Sequence, residues 1–173
     1  MKELPVRKSI RLKGYDYSSA GYYFITMCVE GGHELLWEEE RNVGARNARP
    51  LSHIGETVKI AIENIPKFYA NTVIDKYVIM PNHIHMIITL NEDERGRIEG
   101  VGRAMRAPTI SRIINQMKGY VTKQIGFSIW QKLFHDEIIR NEEAYRNIWQ
   151  YIENNPAKWA EDEYFVKETG GKN

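Results

Sequence analysis

The stretch Tyr77-Val78-Ile79-Met80-Pro81-Asn82-His83-Ile84-His85-Met86-Ile87-Ile88-Thr89-Leu90 constrains this chain more than any other. It reads as a strand, a tight turn and a second strand. Side chains alternate along a strand, so His83 and His85 share one face while Ile84 enters the opposite layer. Two imidazoles on one face are the start of a metal site. Polar groups beside Val78, Ile79, Ile87 and Ile88 need a reason to sit on an otherwise apolar hairpin. The bland reading of the pair is two satisfied polar groups. The sharper reading needs a third ligand and a reactive group from elsewhere.

The elements around the hairpin follow from periodicity. Residues 21–29, rich in aromatic and β-branched types, predict a first strand that Gly31-Gly32 ends. Glu34–Trp37 and Ala48–Leu51 are candidates for a short hairpin. Ser52 caps a helix over residues 53–65, where Ile54, Val58, Ala61, Ile62 and Ile65 recur at helical spacing and Pro66 marks the end or a kink. Residues 72–80 and 83–90 are the central hairpin, and 91–107 are a polar, glycine-containing linker. Pro108-Thr109 open a second helix with Ile110, Ile113, Ile114, Met117, Val121 and Ile125 on its apolar face, and Gly126 stops it. Residues 133–140 predict a last strand, and Asn141 caps a final helix through about Glu153. The order is β-α-β-β-α-β plus a C-terminal helix. That is an α+β, ferredoxin-like split βαβ arrangement, with an antiparallel sheet and helices on one face.

The length of 173 residues suits one domain, with a basic arm over 1–20 and a polar tail over 157–173. Hydrophobic residues at 42% are enough for a core, and a net charge of +1 gives no bulk argument for a nucleic-acid partner. The distribution does. Lys2, Arg7, Lys8, Arg11 and Lys13 crowd the arm, and Arg95, Arg97, Arg103, Arg106, Arg112, Lys118 and Lys123 crowd the region after the hairpin. A basic face of this kind binds phosphates although the total is near neutral. The alternative is two solvated basic segments. The single cysteine, Cys28, excludes an internal disulfide and fits a reducing cytoplasm. No signal peptide is expected, and the longest apolar stretch is too short and interrupted to span a bilayer.

Tyr120 and Gln124 are four apart and lie on one helical face, continuing the Ile113–Met117 stripe. They read either as ordinary amphipathic residues or, with His83 and His85, as a site. Two imidazole nitrogens and an amide oxygen make an open site for Mg²⁺ or Mn²⁺. A tyrosine one turn away could then attack a phosphodiester once a nearby cation stabilises its phenolate.

His83-Ile84-His85 within Met-Pro-Asn-His-Ile-His resembles the His-hydrophobic-His signature of HUH enzymes. Tyr-x-x-x-Gln on a later helix resembles their single-tyrosine branch. The chain is similar to transposases of the insertion-sequence 200/605 type, within the IS200-like superfamily, and most of all to the REP-associated tyrosine transposases. The likeness extends over Gly14-Tyr15-Asp16-Tyr17, Tyr23-Phe24-Ile25-Thr26, Met117-Lys118-Gly119-Tyr120, Ile129-Trp130-Gln131, Ile138-Ile139-Arg140 and Tyr151-Ile152-Glu153-Asn154-Asn155-Pro156. It implies cleavage and rejoining of single-stranded DNA at hairpin-forming repeats, through a 5′-phosphotyrosine link and a divalent metal. Carried over, Tyr120 is the nucleophile and His83, His85 and Gln124 are the metal ligands. The resemblance leaves both a homodimer and a monomer open, and implies a cytoplasmic, nucleoid-associated protein of a prokaryote.

For DNA contacts the candidates are Arg7, Lys8, Arg11, Lys13, Arg103, Arg106, Arg112 and Lys118, which supply phosphate affinity rather than sequence discrimination. Tyr15 and Trp130 are candidates for base stacking, and Trp130 equally for the core. Three rivals stand beside this reading: a catalytically silent hairpin-DNA-binding protein, a metal-dependent phosphoesterase without covalent tyrosine, and a structural module. A histidine-triad hydrolase would want a third histidine where Ile87 stands.

Overall fold

Strand alternation divides the molecule into two layers. In β1 (Gly21–Cys28), Tyr23, Ile25 and Met27 are fully buried in the main core. Tyr22, Phe24 and Thr26 face the other way. In β3 (His83–Leu90), Ile84, Met86, Ile88 and Leu90 join the main core, while Ile87 belongs to a second, smaller one. His83 and His85 share the face of Ile87. The computed structural model describes residues 14–39, 49–92 and 108–164.

β2 (Thr72–Ile79) and β4 (His135–Ile139) complete a sheet in the order β2-β3-β1-β4, with every pair antiparallel. The chain order is that of the expected split βαβ fold. α1 (His53–Phe68) and α2 (Ile110–Ile125) cover the main core through Val58, Ile62 and Ile65, and through Ile113, Ile114, Met117 and Val121. α3 (Glu142–Asn154) lies on the opposite face, where Ile152 packs with Ile87 and Ile139. Among the described residues, no helix is long and apolar enough to cross a membrane.

The helix ends obey local chemistry. Ser52 Oγ accepts from the Gly55 N–H and donates to the Leu35 carbonyl. Thr109 and Asn141 accept from Arg112 and Ala144 at their own helix starts. Gly126, at φ 90°, ends α2 in the left-handed region that glycine adopts without a Cβ penalty. Pro66 does not end α1. It sits near the last turn, where one missing N–H is tolerable, and Tyr69 N–H closes the helix on the Ile65 carbonyl.

One sequence expectation changes. The hairpin expected across 33–51 reduces to one antiparallel bridge, Trp37 to Leu51, with the Glu38 N–H on the Pro50 carbonyl at 2.9 Å. The tail expected from 157 is structured as far as it is described: a 3-10 segment, Asn155–Glu161, carries Trp159, Asp162 and Tyr164 back over the sheet. Most of the linker, 93–107, lies outside the described residues, as does the arm through residue 13.

Gly55 holds α1 against the preceding loop: a Cβ there would lie 2.0 Å from the Leu36 carbonyl oxygen. That oxygen also accepts the Ser52 N–H, so the loop has no slack to yield. Gly55→Ala should cost about 3 kcal/mol by overpacking. Thermal unfolding would register this as a clear fall in midpoint, and an unchanged midpoint would refute the close approach.

Candidate active site

The central position of β3 places His83 and His85 mid-sheet, and its pleat turns both toward the α3 face. They are 0% and 1% exposed. Their Nε2 atoms stand 3.0 Å apart. Each Nδ1 has its own partner: Asn82 Oδ1 at 2.9 Å for His83, and Thr26 Oγ1 at 2.8 Å for His85. The second follows from register, because Thr26 lies directly opposite His85 on β1. Burial, and for His83 also the charge of His85, hold the imidazoles near pKa values of about 2 and about 3. Both are therefore neutral at physiological pH, the form that ligates metals.

A carboxylate completes the group. Asp162 Oδ2 is 4.0 Å from His83 Nε2, and its side chain is almost fully enclosed. One ligand atom from each of His83, His85 and Asp162 can be chosen so that all lie within 4.8 Å of one another. Two ligands at right angles around an ion with bonds of about 2.1 Å stand about 3 Å apart, so the imidazole pair fits a divalent ion. Burial raises the Asp162 pKa, against the Tyr164 N–H and Asn155, which favour the carboxylate.

Tyr151 on α3 brings a hydroxyl to the same point, with its oxygen 3.2 Å from His85 Nε2. Its ring meets that of His85 edge-on at 5.2 Å, and Phe24 stacks on His85 from the sheet. Asn155, one turn on, is buried beside Tyr151 and Asp162, although its Nδ2 has no hydrogen-bond partner of full geometry. Burial, then the Asp162 charge, push the Tyr151 pKa up, while Asn155 opposes them. Tyr151 is still 41% exposed. It opens on a cleft of about 1220 Å³, lined also by Tyr17, Phe24, Arg140, Lys158 and Tyr164. Buried neutral imidazoles and a carboxylate could hold a divalent ion, and the accessible hydroxyl stands on the rim of that group.

The structure does not bring Tyr120 or Gln124 to the histidines. α2 packs on the other side of the sheet, where Tyr120 lines a recess with Ala61, Phe68 and Lys123 against α1. Gln124 is exposed. Ile84 and Met86, which face that layer, are the residues that alternate with the histidines. Lys118 Nζ donates to the Gln131 and Lys132 carbonyls at 2.8 and 3.3 Å, and burial lowers its pKa. It ties a loop rather than facing a ligand. Arg112 is exposed on the first turn of α2. Arg7, Lys8, Arg11, Lys13, Arg103 and Arg106 lie outside the described residues. Trp130 is buried in the main core, and Tyr15 is engaged with Tyr17 and Tyr23. Sequence reasoning did not place Asp162, Asn155 or Tyr151 beside the histidines. Tyr151 and Asn155 carried a signal, the same four-residue spacing as Tyr120 and Gln124; Asp162 carried none.

The fold and site define a ferredoxin-like domain with a paired-histidine centre on the sheet face away from its two crossover helices. No protein-family model matches the chain. An uncharacterized protein of Haemophilus influenzae is 38% identical, over 92% of this chain and 93% of its own length. The chain belongs to one family with that protein. Among solved structures, a REP-associated tyrosine transposase bound to a REP hairpin has the same fold, with a TM-score of 0.57 and 24% identity over 92% of this chain and 74% of that one.

The buried imidazoles give a pH signature. Their folded pKa values lie below the ordinary value of 6.5, so the unfolded chain binds more protons as pH falls below about 6.5. Their contribution is fully present above that pH and is lost as pH falls toward 3. Two such groups give a limiting slope of about 2.7 kcal/mol per pH unit. Denaturant unfolding from pH 7 to pH 4 should be markedly flatter for the His83→Gln, His85→Gln double variant than for the natural chain; equal slopes would contradict neutral burial.

Proposed function

We propose that the chain is a single-stranded DNA transposase or endonuclease of the REP-associated tyrosine type, which cuts and rejoins hairpin-forming DNA through a 5′-phosphotyrosine link. The observation that carries the reading is the approach of Tyr151 Oη to within 3.2 Å of His85 Nε2, beside a second imidazole nitrogen. The fold shared with a transposase that binds a REP hairpin supports it. In this reading Tyr151 takes the role that the resemblance carried over to Tyr120, and Asp162 takes that of Gln124.

His83 Nε2, His85 Nε2 and Asp162 Oδ2 would hold Mg²⁺ or Mn²⁺. When bound, such an ion supplies positive charge that favours the phenolate and polarises a phosphate oxygen. Tyr151 Oη forms a bond to phosphorus as the bond from phosphorus to the 3′ oxygen breaks. The phenolic proton is lost, and the leaving oxygen gains a proton as a free 3′-hydroxyl. The 5′ side stays on the tyrosine. Rejoining is the reverse: a 3′-hydroxyl attacks the phosphotyrosine and Tyr151 recovers its proton. Asn155, buried beside Tyr151, would favour the ionised tyrosine once its Nδ2 turns to donate to the phenolic oxygen.

Arg140 and Lys158 line the cleft and are the phosphate contacts nearest Tyr151. Arg7, Lys8, Arg11, Lys13, Arg103, Arg106 and Arg112 are retained as further DNA contacts. Lys118 holds two carbonyls with its ammonium, which leaves one N–H for a phosphate. One chain carries both the histidines and Tyr151, which supports cleavage in cis by a monomer, acting on DNA in a prokaryotic cytoplasm.

The test uses end-labelled single-stranded hairpin DNA from the flanks of the gene, with Mn²⁺ or Mg²⁺, read on a denaturing protein gel. A covalent adduct should form with the natural chain and with Tyr120→Phe. Tyr151→Phe should reduce it by more than about 1,000-fold, and EDTA should abolish it. Cleavage that survives Tyr151→Phe points to a hydrolytic phosphoesterase, and binding without any adduct points to a silent DNA-binding protein.

A further inference from the structure

We propose that Asn82 is the positioning residue of the ligand set, because its one carboxamide orients His83 from one end and aims Asp162 from the other. The inference rests on the metal-site reading above and deepens it. Asn82 is 2% exposed, in the turn between β2 and β3. Its Nδ2 donates to the Gly32 carbonyl at 3.2 Å and to the Tyr164 carbonyl at 2.9 Å. Two carbonyl acceptors at one end of an amide require that end to be the NH₂. The other end is then an oxygen, an acceptor only, and it lies 2.9 Å from His83 Nδ1.

An acceptor at Nδ1 requires a proton on Nδ1. His83 is thereby held in the tautomer whose Nε2 carries a lone pair, pointing at His85 Nε2 and Asp162 Oδ2. His85 is not held this way. Its Nδ1 partner is the Thr26 hydroxyl, which can donate or accept. In the metal-free chain His85 can donate its Nε2–H to His83. When an ion is bound, the proton can sit on Nδ1 with Thr26 as acceptor. One imidazole is fixed and the other adapts, so two lone pairs need not oppose each other at 3.0 Å.

Tyr164 links the same carboxamide to Asp162. Its carbonyl is held by Asn82, and its own N–H donates to Asp162 Oδ1 at 2.8 Å. That bond occupies Oδ1 and leaves Oδ2 as the oxygen facing His83 Nε2. The adjoining peptide link from Asp162 to Tyr164 is therefore set by the same amide that sets His83. Partners of this kind, bonded to ligands rather than to the ion, typically control about 10- to 100-fold in metal affinity.

Two measurements test this without DNA. The first is two-bond proton–nitrogen NMR of the metal-free chain with labelled histidine. His83 should carry its proton on Nδ1 in the natural chain and in Asn82→Asp, which keeps the acceptor, and should become a mixture in Asn82→Ala. The second is Mn²⁺ affinity, read from the free-ion signal in electron paramagnetic resonance. Asn82→Asp loses the hold on Tyr164, so it should weaken binding by about 10-fold, and by much less when Asp162 is already Asn.

An Nε2–H tautomer of His83 in the natural chain, or additive effects of Asn82→Asp and Asp162→Asn, would overturn the inference. No uptake of Mn²⁺ by the natural chain would overturn it together with the metal site. The adduct assay is independent: an adduct formed by a chain with His83 in the wrong tautomer sinks the role of Asn82 alone. Coupled Asn82 and Asp162 effects without any adduct sink the transposase reading alone.

Discussion

The alternation of β3 is the constraint on which the site depends. Ile84, Met86, Ile88 and Leu90 are buried against α1 and α2, so His83 and His85 have to face the other layer. A shift of register by one residue would exchange the two sets and place imidazoles in an apolar core. Central placement of β3 between β1 and β2 holds that register from both sides. The cost of burying two imidazoles is offset only if each nitrogen finds a partner. Asn82 and Thr26 meet both Nδ1 atoms, and both Nε2 atoms converge on one point.

Covering that point falls to the C-terminal part of the chain. α3 anchors on the small core through Ile152, which leaves Tyr151, its neighbour, turned toward His85 at the edge of the cleft. The 3-10 segment that follows brings Asp162 beside His83. The surroundings of the histidines are acidic, with Glu161, Asp162 and Glu163 lining the cleft, and among the described residues Arg140 and Lys158 are its cations. A carboxylate-rich site of this kind favours a bound cation over a bare phosphate.

Much of this was legible beforehand. Periodicity gave the strands and helices nearly to the residue, because the apolar faces are clean: Tyr23, Ile25 and Met27 on one, Ile113, Ile114 and Met117 on another. The pairing of His83 with His85 needed only a period of two. The residues that stand beside the histidines differ from those that spacing suggested, for a specific reason. Tyr120 and Gln124, like Tyr151 and Asn155, are four apart on a helix, and spacing cannot rank the two pairs. The sheet can. In a split βαβ fold both crossover helices lie on one face, and the apolar run Ile84, Met86 and Ile88 belongs under them. The histidines therefore face away from α2, and only a helix outside the repeat can reach them.

By itself the sequence determined the order of the elements, the central hairpin and the common face of His83 and His85. These depend on local periodicity and on contacts between neighbouring elements. Tertiary structure alone decided which tyrosine meets them, that Asp162 joins them, and that Asn82 holds both His83 and the Tyr164 carbonyl. Those choices depend on which side of a sheet a helix crosses, and on where a segment some eighty residues away in sequence returns. No short-range pattern records either.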